Sequence, residues 1–253
     1  MSEALQTENK AGSGLLVIGS EGGCGKTTFM CGVAGALREI GFAVRVRKPL
    51  VLSSRKNCEA ELAFISTVGH TPIDYPIRFA EGPMSLEETE WQNVVATSFD
   101  PACVTLVEMP GGAATPVCYE ENNSGTLSNH WRDCTDMAQE FKQPCVVVAK
   151  HQTDAIDRLV MTCAYLERRK IKVLGCATVE VVQDGGAELE RKRSRADFTV
   201  GLSSRLQAPF LGFIKFSPAV SVPQVVQGNL IKMTAGLDLL PLIQALDLAL
   251  PTV

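Results

Sequence analysis

The sequence predicts an α/β fold of three layers, a mostly parallel sheet with helices on both faces, and three observations carry that prediction. Short, near-continuous apolar runs recur along the chain, stretches with helical spacing of apolar residues separate them, and a glycine-rich turn directly follows the first run. Strands that are apolar throughout are buried on both faces, and the intervening helices are what buries them. Right-handed crossovers then line up the loops that follow the strands along one edge, where ligands of such sheets bind.

The elements follow in order. Residues 1–12 read as a polar leader, and a single domain is expected over 13–253. Leu15-Leu16-Val17-Ile18 is a short buried strand, and the helix starting near Lys26 puts Phe29, Val33, Ala36 and Leu37 on one face. Gly41 sits where a helix ends, and Ala43 to Val46 follows as a second strand. Val104 to Val107, Cys145 to Ala149, Val173 to Thr178 and Phe210 to Ile214 are further strands. Helices are expected near 59–67, 85–98, 128–142, 154–169 and 186–206. The apolar stretch Leu237 to Leu250 has helical spacing and serves either core packing or a subunit contact.

Composition narrows the functions. A hydrophobic content of 45% with 21% charged residues is that of a globular protein, so disorder is not expected. A formal net charge of −4 argues against a general nucleic-acid or membrane surface. The nine cysteines lack C-x-x-C or metal-ligand spacing and read as reduced, buried thiols. Met1 to Ser13 lacks the apolar core of a signal peptide, and no apolar run approaches the ~20 residues of a membrane helix. A cytoplasmic location is the expectation. The run Glu188 to Arg195 is a solvated helix face or loop, or else an anion contact.

Chemistry concentrates in the first turn. Ser20-Glu21-Gly22-Gly23-Cys24-Gly25-Lys26-Thr27, between a strand and a helix, has the order of a P-loop, and with it the P-loop NTPase fold is expected. The glycines let backbone N–H groups converge on phosphate oxygens, and the helix N-terminus adds partial positive charge. Lys26 would reach the β- and γ-phosphates, Thr27 would offer its hydroxyl to Mg²⁺, and Thr28 closes the motif. Ser20 stands where the strict motif has glycine. The phrase Gly22 to Thr28 also resembles the ParA/MinD ATPases, whose second lysine, just before the Gly-Gly pair, is replaced here by Glu21. An acid cannot stabilise transferring phosphoryl charge directly, although it can help to hold Mg²⁺.

Three other positions fall near the same edge. Lys48 lies just past the second strand, either as a strand-end lysine or as a cation gripping a carboxylate, carbamate or phosphate. Glu108 ends the third strand before Pro110-Gly111-Gly112, a place suited to holding Mg²⁺ or water, and the glycine pair permits close backbone approach to a ligand. Glu59, near a helix start, is a solvated first-turn acid unless Glu108 gives it company. His70, His130 and His151 show no metal or triad spacing, and Asp154 and Asp157 fit a helix N-terminus.

Taken together, these segments resemble dethiobiotin synthetase, the ATP-dependent carboxylase that closes the ureido ring in biotin synthesis. The family's G-T-x-T-x-x-G-K-T loop is matched by Gly19-Ser20-Glu21 and Gly25-Lys26-Thr27, and its K-P-V by Lys48-Pro49-Leu50. Its N-S-D-A segment is matched by Asn57-Cys58-Glu59-Ala60, and its V-E-G-A-G-G-x-x-x-P by Val107 to Gly112 and then Pro116. Phe79-Ala80-Glu81 and Pro209-Phe210-Leu211-Gly212 add to the likeness, which spans roughly residues 14–220. The resemblance implies that Lys26 and Thr27 hold ATP and Mg²⁺, that Glu59 and Glu108 complete the metal shell, and that Lys48 orients a carbamate. That carbamate would form from CO₂ and 7,8-diaminononanoate, a diamine carboxylate. It further implies a homodimer with substrate near the interface.

The departures are Gly22 for a threonine, Met109-Pro110 for Gly-Ala, and Val179 where the family reads adenine with asparagine. Valine cannot make the paired amide contacts to a base edge. The Pro209 to Pro223 region is the other candidate for base recognition, and the segment Lys150 to Ile156 lacks the family's wording. Two alternatives stay open: a ParA/MinD-like or cobyrinate-amidase-like ATPase, and a catalytically weak nucleotide-binding regulator on the same fold.

Overall fold

The computed structural model describes residues 13–68, 73, 77–82, 86–96, 99–121, 127–181, 195–216 and 227–248. The expected leader over 1–12, His70 and most of the basic run before Arg195 lie outside the described residues.

Six parallel strands form the main sheet: β1 (Gly14–Gly19), β2 (Val44–Arg47), β5 (Val104–Gly112), β8 (Cys145–Lys150), β9 (Val173–Val179) and β10 (Phe210–Ile214). They stand in the order β10-β9-β8-β1-β5-β2, and each of the six expected strands is a strand of this one sheet. Alternation along β1 explains the two cores. Leu16 and Ile18 point to one face, Leu15 and Val17 to the other, and all four are fully buried.

Helices cover both faces. Against Leu15 and Val17 lie α1 (Lys26–Glu39), α7 (Gln227–Thr234) and α8 (Leu240–Ala245), through Phe29, Val33, Leu230 and Leu242. Against Leu16 and Ile18 lie α3 (Glu88–Val95), α4 (Cys134–Phe141), α5 (Ala155–Arg168) and α6 (Arg195–Ser203), through Trp91, Met137, Leu159 and Phe198. The expected three-layer, mostly parallel α/β architecture is the observed one. Gly41, with φ +96°, ends the first helix in the left-handed conformation that glycine adopts without strain. The apolar C-terminal stretch is in part core, since Leu242 and Ile243 are buried.

One expected helix is corrected. The stretch 128–142 is a strand followed by a helix: β7 (Leu127–Asp133) pairs antiparallel with β6 (Pro116–Glu121), and α4 begins only at Cys134. Asp133 makes the break by accepting from the backbone N–H of Thr135 at 2.7 Å and Asp136 at 3.0 Å, while Asp136 returns a carboxylate to the Asp133 N–H. This reciprocal cap sets the helix start. A parallel pair, β3 (Leu50–Val51) with β4 (Arg78–Phe79), follows Lys48, and between its strands runs α2 (Arg55–Val68). Among the described residues, no helix is long and apolar enough to cross a membrane.

Candidate functional site

The strand order places the end of β1 at the point where the sheet changes direction, with β5 on one side and β8 on the other. Crevices of open α/β sheets form at such switch points. The turn between β1 and α1 is pinned at its start, where the Ser20 N–H donates to the Val148 carbonyl at 2.8 Å. Gly23 and Gly25 have φ of +68° and +93°, the left-handed region where a side chain would strain the chain. A Cβ on Gly23 would meet nothing within 4 Å, whereas one on Gly25 would come within 2.7 Å of Val179 Cγ1. Gly25 caps α1 without a side-chain hydrogen bond, and the first turn carries no acid. The N–H groups there have no side-chain rival for an anion.

Lys26 is buried, and its ammonium donates to the Gly111 carbonyl at 2.7 Å, with a longer contact of 3.4 Å to the Glu21 carbonyl. Gly111, at φ +60°, bends the end of β5 beneath the loop, and the Gly112 N–H donates to Thr115 Oγ1 at 2.7 Å. A Cβ on Gly112 would stand 2.9 Å from the Ser20 carbonyl, so the glycine pair permits the close approach of β5 to the phosphate loop itself.

Beside the loop, four side chains meet. Val44 and Val46 of β2 and Val104 and Leu106 of β5 face α1 and pair in register, and the same alternation carried two residues further brings Lys48 and Glu108 together. The Lys48 ammonium lies 2.7 Å from Glu108 Oε1 and 2.7 Å from Glu61 Oε1. Thr27 Oγ1 lies 2.6 Å from Glu61 Oε1 and 2.8 Å from Glu108 Oε2. A hydroxyl has one proton, so Thr27 donates to one carboxylate at a time.

Burial alone would push the Lys48 ammonium down, but the charges of Glu108 and Glu61 outweigh it, and the group titrates above the ordinary lysine range. Burial likewise works against the Glu61 carboxylate, yet Lys48 and then Thr27 hold it below the usual range. Two carboxylates and a hydroxyl are hard oxygen donors of the kind Mg²⁺ takes, and that ion fills its remaining positions with water and phosphate oxygens. The residues present therefore fit a magnesium ion.

These groups line one cavity of about 660 Å³, together with Gly22 to Thr28, Pro110, Gly111 and an apolar wall that includes Leu50, Leu52 and Phe64. Gly22, Gly23, Cys24, Gly25, Lys26, Thr27, Thr28, Lys48, Glu108 and Gly111 thus come together, and Gly112 lies directly behind the loop. The Cys24 thiol is turned inward to the Val148 carbonyl at 3.3 Å, and burial first of all pushes its pKa up, so it is a packing group rather than a nucleophile.

Two residues stand elsewhere than expected. Glu59 is exposed on the far side of α2, in a separate hollow with Arg55, Leu62, Ile77 and Phe79. The acid that α2 delivers to the cavity is Glu61. Residues two apart on a helix point about 200° from each other, and the buried positions Cys58 and Ile65 fix which side faces in. That periodicity is the signal that finds Glu61. Glu21 does not line the cavity among the described residues; it pairs with Arg158 of α5, which the sequence reading passed over. Val179 is buried beneath Gly25 and props the loop, while Val181 reaches the cavity wall. His151 is structural: it is buried, its Nδ1 lies 3.0 Å from Thr178 Oγ1, and its ring packs by Phe198 and Phe213.

A chain whose first strand, glycine turn and helix are joined in this way, at the switch point of a parallel sheet, has the fold of the P-loop NTPases. The MinC:MinD cell division protein complex of Aquifex aeolicus contains a chain that superposes with a TM-score of 0.50 at 14% identity, covering 95% of this chain and 98% of that one, which is a likeness of fold alone. No family model matches the sequence. Among curated proteins, the ATP-dependent dethiobiotin synthetase BioD of Bacillus cereus (strain B4264) is 26% identical over 224 residues, 81% of this chain and 84% of the relative. The protein of the same name from Nitrosopumilus maritimus is 25% identical over 215 residues, 78% of this chain and 89% of the relative. Over about four fifths of its length, then, the chain is similar to dethiobiotin synthetases at low identity.

Proposed function

We propose that the protein is a Mg-ATP-dependent carbon–nitrogen ligase that converts 7,8-diaminononanoate, CO₂ and ATP to dethiobiotin, ADP and phosphate. The observation that carries the proposal is the meeting of Lys48, Glu108 and Thr27 in one cavity beside the phosphate loop. A loop of this kind alone serves many reactions; a buried lysine set next to the metal-site acids suits a substrate carrying negative charge at the point of phosphoryl transfer.

In this reading one amine of the substrate and CO₂ form a carbamate with loss of a proton. The carbamate oxygen attacks the γ-phosphorus of ATP, and ADP leaves. The second amine then attacks the carbamoyl carbon, the ring closes, and phosphate departs as that amine gives up its proton. Lys48 orients the carbamate, while Lys26 exchanges the Gly111 carbonyl for phosphate oxygens. Thr27, Glu61 and Glu108 would hold Mg²⁺, which neutralises phosphate charge when bound. The wall of Leu50, Leu52 and Phe64 suits an aliphatic chain. A cytoplasmic homodimer completes the proposal.

The test is an assay of purified protein with ATP, Mg²⁺, bicarbonate and diaminononanoate, followed for dethiobiotin and phosphate. The expected result is product that disappears in Lys48→Ala while nucleotide still binds. Phosphate release that needs no diamine would contradict the ligase and favour an ATPase switch; no turnover at all would favour a regulator.

A further inference from the structure

The loop that would take a polyphosphate carries an acid of its own. Glu21 lies in the same turn as Gly22 and Gly23, and its backbone carbonyl is 3.4 Å from the Lys26 ammonium. A free carboxylate there has the same sign as the ligand and competes with it for Lys26. The fold deals with this charge from outside the cavity. Glu21 Oε2 pairs with the Arg158 guanidinium, and Arg158 Nε also donates at 2.6 Å to Oδ2 of Asp154, the N-cap residue just before α5. Asp154 is steadied in turn by Gln152 Nε2 at 2.7 Å. The remaining oxygen, Glu21 Oε1, is buried with no hydrogen-bond partner among the described residues. Arg158 is thus the residue that holds this carboxylate on the α5 side.

We propose that Arg158 is a positioning residue of the phosphate loop: it neutralises Glu21 and keeps its carboxylate away from Lys26, so that nucleotide affinity depends on a side chain outside the cavity. This rests on the reading of the loop as a nucleotide site. It also gives Glu21 a role other than Mg²⁺ binding. Without Arg158, the acid loses its partner and is free to turn toward the lysine that the phosphates need.

The experiment is calorimetric titration of the full chain with ATP and Mg²⁺, alongside the thermal midpoint of the ligand-free protein. The variants are Arg158→Ala, Arg158→Lys, Glu21→Gln and the double variant Glu21→Gln/Arg158→Ala. Arg158→Ala is expected to weaken binding about 5- to 20-fold, less so at high salt. Arg158→Lys restores most of it, and the double variant binds within about 2-fold of wild type, because removing the acid removes the need for the cation. A partner that merely stiffened the loop would not be replaced by deleting its acid. Arg158→Ala binding as wild type does, or a double variant as weak as Arg158→Ala, would overturn the proposal. A wild-type protein that bound no nucleotide would defeat the loop reading itself and the inference with it.

Discussion

The two acids of the cavity reach it by different routes, and the contrast is instructive. Glu108 stands in the middle of the buried strand β5, its side-chain exposure is 4%, and the alternation of Val104 and Leu106 before it leaves its direction no freedom. Glu61 projects from the second turn of α2 with a side-chain exposure of 37%, and its direction depends on the rotational phase of a helix. Strand-borne groups inherit their aim from a sheet fixed along its whole length, whereas a helix-borne group inherits it from whichever apolar residues bury that helix. The strand pair Lys48–Glu108 is accordingly the rigid part of the site and Glu61 the adjustable part.

Substitutions test this division. The largest effect is expected at Lys26, where Lys26→Ala should weaken nucleotide binding about 100-fold or more in a titration with ATP and Mg²⁺. Next comes the strand-borne acid. Glu108→Ala leaves the buried Lys48 ammonium with Glu61 as its remaining carboxylate in the cluster, and should cost about 2–4 kcal/mol of folding stability by urea denaturation. Glu61→Ala, half open to water, should cost only about 1 kcal/mol in the same measurement. Equal losses at the two positions would erase the contrast.

The pH dependence follows with its sign fixed. The folded Glu61 carboxyl titrates below its ordinary value, so its contribution is complete above the unfolded glutamate range and is lost as pH falls through the folded value. Lys48, titrating above its ordinary value, contributes below the unfolded lysine range and loses that contribution as pH rises through the folded value. Thermal midpoints of wild type and Glu61→Gln should therefore converge as the pH is lowered below about 4 and separate above it. The smallest effect belongs to Glu59, exposed on the opposite side of α2: Glu59→Ala should change stability by less than about 0.5 kcal/mol.

The same contrast explains what could be read in the sequence. Five strands of the sheet were legible because each is an apolar run that is almost wholly buried, the edge strand β2 because its buried valines alternate with the more open Arg45 and Arg47, and the phosphate loop because its glycines and Lys26-Thr27 lie between an apolar run and a helix. Lys48 was legible as a strand end, whereas Glu108, expected to end the third strand, lies mid-strand because β5 runs on through Pro110 and Gly111 to Gly112. The choice between Glu59 and Glu61 was not, because both follow Asn57 closely and the family likeness favoured the first; only the burial of Cys58 and Ile65 decides it. The hairpin of β6 and β7 was missed for a related reason. It stands outside the main sheet, β7 is rich in polar residues (Ser128, Asn129, Arg132, Asp133), and it runs without a break into α4. The pairing of Glu21 with Arg158 joins residues 137 positions apart, a contact that local pattern does not carry.

The central claim is that a Mg-nucleotide binds where Thr27, Lys48, Glu61 and Glu108 converge, and one comparison tests it most directly. Calorimetric titration with ATP should be made with and without Mg²⁺, in the wild type, Glu61→Gln and Glu59→Gln. Mg²⁺ should strengthen binding in the wild type and in Glu59→Gln alike, and this gain should fall several-fold in Glu61→Gln. A gain lost in Glu59→Gln and kept in Glu61→Gln would contradict the claim.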